Sequence, residues 1–279
     1  MRSLGNFHRF RRARGQSLDL IRQLALAERP DLFLTDFEPL TALAAESLRV
    51  PCVSVDNQHR FCHPLGPEFP LYLRVYARLV GQFVRRWIRG PQECIVAVFH
   101  PCPESRYYRR VEAMVRSHIV RREPTRGDHV VLYGHGEVGR RMARVAATVG
   151  EQFVAYGFDG PAYDNIKYRP TSDEGFASDL ASAKGVLAMA GQQLIGEARY
   201  FGKPMLVVPM PGQYEQDINA YYVRTQAIGD WCSIGQFTAE KIKAFLQQPA
   251  ARGRPANGVD EVLRFLETGN GRIPAEASA

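Results

Sequence analysis

Apolar residues follow two rhythms along this chain, short solid runs and stretches spaced by three and four, which together predict an alternating order of strands and helices. Residues 16–28 place Leu18, Ile21, Leu24 and Ala25 at helical spacing, and Pro30-Asp31 leads into Leu32-Phe33-Leu34-Thr35-Asp36, a short buried strand ending at Asp36. A helix over 40–48 and a strand over 51–56 follow, the strand closing on the polar cluster Asp56-Asn57-Gln58-His59-Arg60. A longer helix is predicted over 71–89, with Tyr72, Tyr76, Leu79, Phe83 and Trp87 on one face and Arg74, Arg78, Arg85 and Arg89 on another. That aromatic stripe reads as core packing with the arginines outward; the competing reading is a basic amphipathic helix at a membrane interface. Residues 94–99 make another strand, and the Pro- and Arg-rich stretch 100–127 carries the chain to a second unit, with the boundary near Pro124-Thr125-Arg126-Gly127.

Beyond that boundary the order is regular. Strands are predicted over 129–133, 152–157, 165–169, 186–190, 204–209 and 231–234, with helices over 138–148, 174–183, 192–201, 215–227 and 238–247, a complete doubly wound unit. One further helix near 258–267 precedes a Gly/Pro/Ala tail. The expected fold is therefore α/β, two doubly wound Rossmann-like units over 1–127 and 128–279, the first incomplete. Residues 1–15 supply neither an apolar strand nor a glycine-rich turn, so the first sheet is expected to lack its opening strands, as in an N-terminally truncated chain, and to expose an edge.

Composition narrows the setting. At 279 residues and 45% hydrophobic content the chain can fill two modest cores. It has no apolar run of about 18 residues, which predicts a soluble protein with the cytoplasm as default compartment. Five cysteines without a C-x-x-C pair fit reduced thiols and argue against a disulfide framework or a zinc site; Cys62 beside His63 lacks third and fourth ligands. Charge is uneven: residues 1–128 hold 21 Arg and no Lys against 13 acidic residues, a net +8, within a chain of +7. The first half is thus suited to an anionic surface, phospholipid or nucleic acid, unless it is only an arginine-rich solvated face.

Two glycine-bearing segments compete for the chemistry. Gly134-His135-Gly136-Glu137-Val138-Gly139 follows a strand and opens a helix, with Asp159 twenty residues after Gly139, so it satisfies a dinucleotide fingerprint. The same glycines serve the tight first turn of any doubly wound unit. The second segment runs from Gly191 to Ala220. An apolar strand enters Ala190-Gly191 and a helix follows, leaving unpaired N–H groups that attract a diphosphate. Glu197, one turn along, can accept two hydroxyl hydrogen bonds, as a ribose would offer, while Gln216 and Asn219 open the next helix on the same side.

Residues 129–247 resemble the donor-binding half of GT-B glycosyltransferases, above all the family-28-like branch that includes lipid-linked N-acetylglucosaminyl transferases. The likeness is carried by Tyr156-Gly157, Ser172, Phe176, Asp179-Leu180-Ala181, Ala183, Gly191, Glu197-Ala198, Gly202-Lys203-Pro204, Pro209, Glu215-Gln216 and Asn219-Ala220. Thr35-Asp36-Phe37-Glu38-Pro39 and Asp56-Asn57-Gln58-His59 are similar to an uncharacterised archaeal and bacterial branch of such enzymes. The resemblance implies a UDP-sugar donor held by Gly191, Gln192 and Gln193 at the diphosphate, by Glu197 at the ribose and by Gln216 with Glu215 at the sugar, with Asn219 fixing the helix start. The turn of Gly134 and Gly136 would face the same cleft. It further implies metal-independent inverting transfer to an acceptor, lipid-linked or glycan, with peripheral contact at an anionic membrane, no cofactor besides the donor and no nucleic acid. Asp36, Glu38 and His59, at strand ends, are the candidates for the base that deprotonates the acceptor, Asp36 first, although Asp36 can equally cap the following helix. A UDP-sugar epimerase of the same fold, a non-catalytic binding remnant and a nicotinamide-dependent oxidoreductase built on Gly134–Gly139 are the alternatives.

Overall fold

The computed structural model describes residues 2–88, 91, 93–247 and 254–267, with side chains from residue 15 onward. Arg89 and the Gly/Pro/Ala tail lie outside these residues. Two parallel sheets organise the chain. The first is built from β1 (Phe33–Thr35), β2 (Cys52–Asp56), β3 (Glu93–Ala97) and β4 (Tyr108–Val111), side by side in that order. Around it lie α1 (Arg2–Glu28), α2 (Pro39–Leu48), a 3-10 turn (Gln58–Cys62), α3 (Leu71–Trp87) and the short α4 (Ser117–Val120). The second sheet contains β5 (His129–Tyr133), β6 (Gln152–Tyr156), β7 (Ile166–Tyr168), β8 (Gly185–Ala188), β9 (Met205–Val207) and β10 (Gly229–Trp231), in the order β10-β9-β8-β5-β6-β7. Its helices are α5 (Gly136–Ala146), α6 (Asp173–Ser182), α7 (Gln192–Tyr200), α8 (Tyr214–Thr225) and α9 (Ala239–Leu246).

The central strands of the second sheet are wholly apolar because both faces are covered: Val130, Val131, Leu132, Val186, Leu187 and Leu206 are all fully buried. Strand order reverses between β5 and β8, which leaves a crevice at their carboxyl ends, where open α/β sheets bind ligands.

The structure departs from the sequence expectation at several elements. β4 was not foreseen: Tyr108-Arg109-Arg110-Val111 carries two arginines, and only pairing with β3 at the sheet edge makes it a strand. The last helix, α10 (Gly258–Glu267), packs Val262 and Phe265 against Val53, Ile95, Ala97 and Val111, so this segment of the expected 128–279 unit sits on the first sheet. The outer edge of β1 pairs with no strand among the described residues, and Leu34 on it is half exposed.

The largest correction concerns α3. Its buried edge is the narrow one, Leu73, Ala77, Gly81 and Val84, set against the 3-10 turn. A Cβ at Gly81 would stand 2.0 Å from the Phe61 carbonyl oxygen, so only glycine admits this approach. Leu71, Tyr72, Val75, Leu79, Phe83 and Trp87 are consequently exposed rather than core. No helix among the described residues is long and apolar enough to cross a membrane.

Candidate active site

Two cavities meet at the start of α7. The larger, about 460 Å³, is bounded by Tyr133 at the end of β5, Met189 just after β8, and Gly191, Gln193, Leu194 and Glu197 of the α7 start. Arg116, His135, Thr171, Ser172, Asp173, Phe176 and Gln216 complete its wall. Tyr133, Phe176, Met189 and Leu194 form an apolar side that suits a nucleobase. Gly191 is the N-cap of α7 and uses no side chain to cap it, so the first N–H groups of the helix are open to an anion.

Glu197 is placed here, but not as an open acceptor. Its side chain is 1% exposed, and Oε1 accepts hydrogen bonds from Arg116 Nε at 2.6 Å and Gln193 Nε2 at 2.8 Å. Oε2 accepts from Arg116 Nη2 at 3.0 Å. Gln216 lines the cavity while its Oε1 accepts from the Met210 N–H at 3.0 Å.

The smaller cavity, about 200 Å³, lies where the carboxyl ends of the first sheet face α7, and Asp36, Asp56, Asn57, Gln58, Ala97, Met114, Gln192 and Gln193 border it. Gln193 belongs to both cavities. Asp36 sits on a rigid turn: Thr35 Oγ1 donates to the Glu38 carbonyl at 2.7 Å and accepts from the Glu38 N–H at 3.1 Å. Phe37 adopts φ 51°, a strained backbone for an aromatic residue and one found at functional turns. Burial, and then the nearby Asp56 carboxylate, raise the Asp36 pKa above the usual carboxylate range.

The other two base candidates are corrected. Glu38, not Asp36, is the N-cap of α2, its carboxylate accepting the Leu40 and Thr41 N–H groups at 3.0 and 2.7 Å. His59 is 3% exposed, with Nδ1 at 2.7 Å from Asp56 Oδ2, and it packs beside the Phe37 and Tyr108 rings, behind Asp56 and bordering neither cavity itself. Burial pushes the Asp56 pKa up, but hydrogen bonds from His59, Ser54 and the His59 N–H outweigh it, so the carboxyl stays below its ordinary value.

Gly134 and Gly136 border neither cavity. A Cβ at Gly134 would stand 2.7 Å from Gly139 Cα, and one at Gly139 would meet the Phe158 ring at 2.7 Å, so these glycines pack α5 onto β5. Gly136 takes φ +53° at the turn.

Arg116, on Glu197, and Arg60, between the two units, both escaped the sequence reading. Arg60, 5% exposed, sends Nη1 to Asn219 Oδ1 at 2.8 Å, to Gln192 Oε1 at 3.1 Å and to His100 Nε2 at 3.3 Å, and Nη2 to Glu215 Oε1 at 3.2 Å. Glu215, expected beside the sugar, is therefore paired with Arg60 and borders neither cavity. Asn219 also donates Nδ2 to the Ala190 carbonyl at 2.9 Å, bracing the turn before α7. Gln192 Nε2 donates to the Ala97 carbonyl at 3.3 Å, so its amide spans the two units. Nothing local in the sequence marks Arg60, because its partners lie 40 to 159 residues away. His100 is held neutral: its Nδ1 donates to the Pro101 carbonyl, Nε2 accepts from Arg60, and burial followed by the Arg60 charge pushes its pKa down to about 3.

Among the described residues no group of three or more His, Cys, Asp and Glu is placed to hold a metal ion. Two facing parallel α/β units, with the two cavities at the α7 start, give the chain an α/β fold of GT-B type. The sequence model described as "Glycosyl transferase family 1" matches residues 6–249, and the chain belongs to that family. An uncharacterised glycosyltransferase of Methanosarcina mazei is 24% identical over 231 residues, 72% of this chain but 60% of that protein, so the chain spans under two thirds of this curated relative. The fold is similar to the calicheamicin glycosyltransferase CalG4, with TM-score 0.63 at 19% identity over 92% of this chain and 77% of that one. It is also similar to S. aureus MnaA in a UDP co-structure, with TM-score 0.58 at 13% identity over 95% and 81%. The glycosyltransferase VinC in complex with dTDP gives TM-score 0.58 at 15% identity over 90% and 76%.

Proposed function

We propose that the chain is a glycosyltransferase that takes a sugar from a UDP-sugar to an acceptor hydroxyl, with inversion and without a metal. The observation that carries this is the cavity of about 460 Å³ at the α7 start, which joins open helix N–H groups, an apolar wall and Glu197 in a chain of this family. Donor binding falls to the unit of β5–β10 and acceptor handling to the unit of β1–β4. The Gly191-to-Ala220 spacing supports kinship with the family-28-like branch, and the UDP and dTDP bound in two structural relatives support a nucleoside diphosphate.

In the reaction the acceptor oxygen bonds to the anomeric carbon as the bond from that carbon to the diphosphate breaks. The electron pair leaves with the diphosphate, and the acceptor proton passes to Asp36. Asp36 suits this role because it borders the smaller cavity on a rigid turn with a raised pKa. Backbone N–H groups at the α7 start stabilise the departing diphosphate. The exposed apolar and aromatic face of α3, interleaved with Arg74, Arg78 and Arg86, supports a lipid-linked acceptor met at the anionic inner face of a membrane.

Titration with UDP, dTDP and UDP-sugars while following thermal unfolding tests the donor. A rise in Tm with a nucleoside diphosphate is expected, and most of it should vanish in Glu197→Ala; no rise with any of these compounds would reject the reading. Product analysis with an acceptor panel then separates transfer from epimerisation and hydrolysis.

A further inference from the structure

Glu197 presents a contradiction that the geometry itself resolves. A ribose needs its carboxylate, yet that carboxylate is 1% exposed and both oxygens are taken by a bidentate guanidinium. The guanidinium belongs to Arg116, which enters from the segment between the two sheets, is 42% exposed, and also reaches Asp173 Oδ1 at 3.2 Å through Nη1. Among the described residues Arg116 is the one Lys or Arg bordering the larger cavity, where Asp173 and Glu197 are the acidic groups. A diphosphate entering while Arg116 stays on Glu197 would meet one cation already shared by two carboxylates.

We propose that Arg116 exchanges partners when the donor binds: its guanidinium turns from Glu197 to the diphosphate, and the released Glu197 oxygens accept the ribose hydroxyls. The inference rests on the nucleotide-sugar reading and adds a residue to it. Each half of the exchange needs the other. Turning Arg116 away alone strands a buried carboxylate, which is strongly unfavourable. Ribose hydroxyls arriving alone find both oxygens engaged and the carboxylate buried. Gln193 keeps its bond to Oε1 throughout and holds the carboxylate in place. The bare Arg116–Glu197 pair thus makes the cavity select for ligands that carry phosphate and ribose together.

The test compares UDP with uridine by calorimetry on the wild-type chain, Arg116→Gln and Arg116→Lys, or dTDP with thymidine should the cavity take that base. Arg116→Gln should weaken UDP about 10- to 100-fold, the range for losing charge-assisted hydrogen bonds to a phosphate, and leave uridine unchanged or tighter because Glu197 is no longer occupied. Arg116→Lys should restore part of the UDP affinity. An arginine that merely props Glu197 would weaken UDP and uridine by the same factor, and that result overturns the exchange. Should Arg116→Gln not fold, the Nε–H resonance of Arg116 in the wild-type chain must shift on adding UDP and stay put on adding uridine; a resonance unmoved by bound UDP overturns it equally. Wild-type protein that binds neither nucleoside diphosphate rejects the donor reading and the exchange together, whereas tight UDP binding with equal losses rejects the exchange alone.

Discussion

The two cavities at the start of α7 share Gln193 and differ in how their polar groups stand. In the larger one the two key acceptors already have partners: Glu197 is held by Arg116 and Gln193, and Gln216 by the Met210 N–H. In the smaller one Asp36 is fixed through its backbone turn while its carboxyl borders the cavity, pushed toward the neutral form by burial and by Asp56. A ligand entering the larger cavity must replace internal bonds, which confers specificity. The smaller cavity keeps a destabilised charge, which is what a base requires.

The sharpest way to break this contrast is Asp36→Asn. Turnover should fall about 10²- to 10⁴-fold, the usual loss on removing a general base, while the Tm rise with UDP persists. The sign for stability is opposite. The folded state raises the Asp36 pKa, so holding the carboxylate ionised costs the folded state stability at neutral pH, and the asparagine variant should melt slightly higher. Unchanged turnover would remove Asp36 from the mechanism and leave the acceptor side without a base.

Arg60 links the two sides, and its loss ranks next. Arg60→Met strands acceptors on Gln192, Asn219, Glu215 and His100, and should cost about 2–3 kcal/mol of stability by chemical denaturation. It should also raise KM for the donor more than it lowers kcat, since the α7 and α8 starts lose their common anchor. A variant as stable as wild type would show that the two units are held together by other contacts.

A smaller effect comes from pH through His100. Its folded pKa is depressed to about 3, below the ordinary 6.5, so the unfolded chain binds the extra proton between these values. This contribution to stability is complete above pH 6.5 and falls as pH drops toward 3. His100→Gln, which keeps an acceptor for Arg60, should flatten the Tm-against-pH curve in that window. An unaltered slope there would remove His100 as its source, since Asp56, whose pKa is depressed, predicts losses only at lower pH, below the ordinary carboxylate value of 3.8.

The two units were not equally legible in the sequence. Strands buried on both faces, such as Val130–Leu132 and Val186–Leu187, read as apolar runs between helices, so the second sheet and the Gly191 turn could be placed from the chain alone. β4 could not, since Arg109 and Arg110 become strand residues only by pairing with β3. Arg60 and Arg116 were invisible for a related reason. An arginine is ordinary on any surface, and what distinguishes these two is a partner 159 residues away on Asn219 and another 81 away on Glu197. Periodicity reports which face is apolar, but not how wide an edge the neighbour will cover. For that reason the stripe of α3 was read as core, whereas Gly81 draws the helix in along its small residues.

That exposed stripe carries the smallest and last of these effects, and it bears on which unit meets the acceptor. Leu79 is 66% exposed and Phe83 52%, and Arg74, Arg78, Arg85 and Arg86 give α3 four positive charges with no acid. Burial of the apolar face draws the helix to any bilayer, while each arginine near an anionic surface adds about 1 kcal/mol. Co-sedimentation should therefore rise when anionic phospholipid replaces zwitterionic lipid and fall with added salt. Leu79→Glu with Phe83→Glu should abolish it, and Arg74→Gln with Arg78→Gln should remove only the anionic preference. All four positions lie away from both cavities, so nucleotide-induced stabilisation should be untouched. Binding that ignores lipid charge would assign α3 an apolar partner instead, and the acceptor would then have to reach Asp36 from solution rather than from a membrane surface.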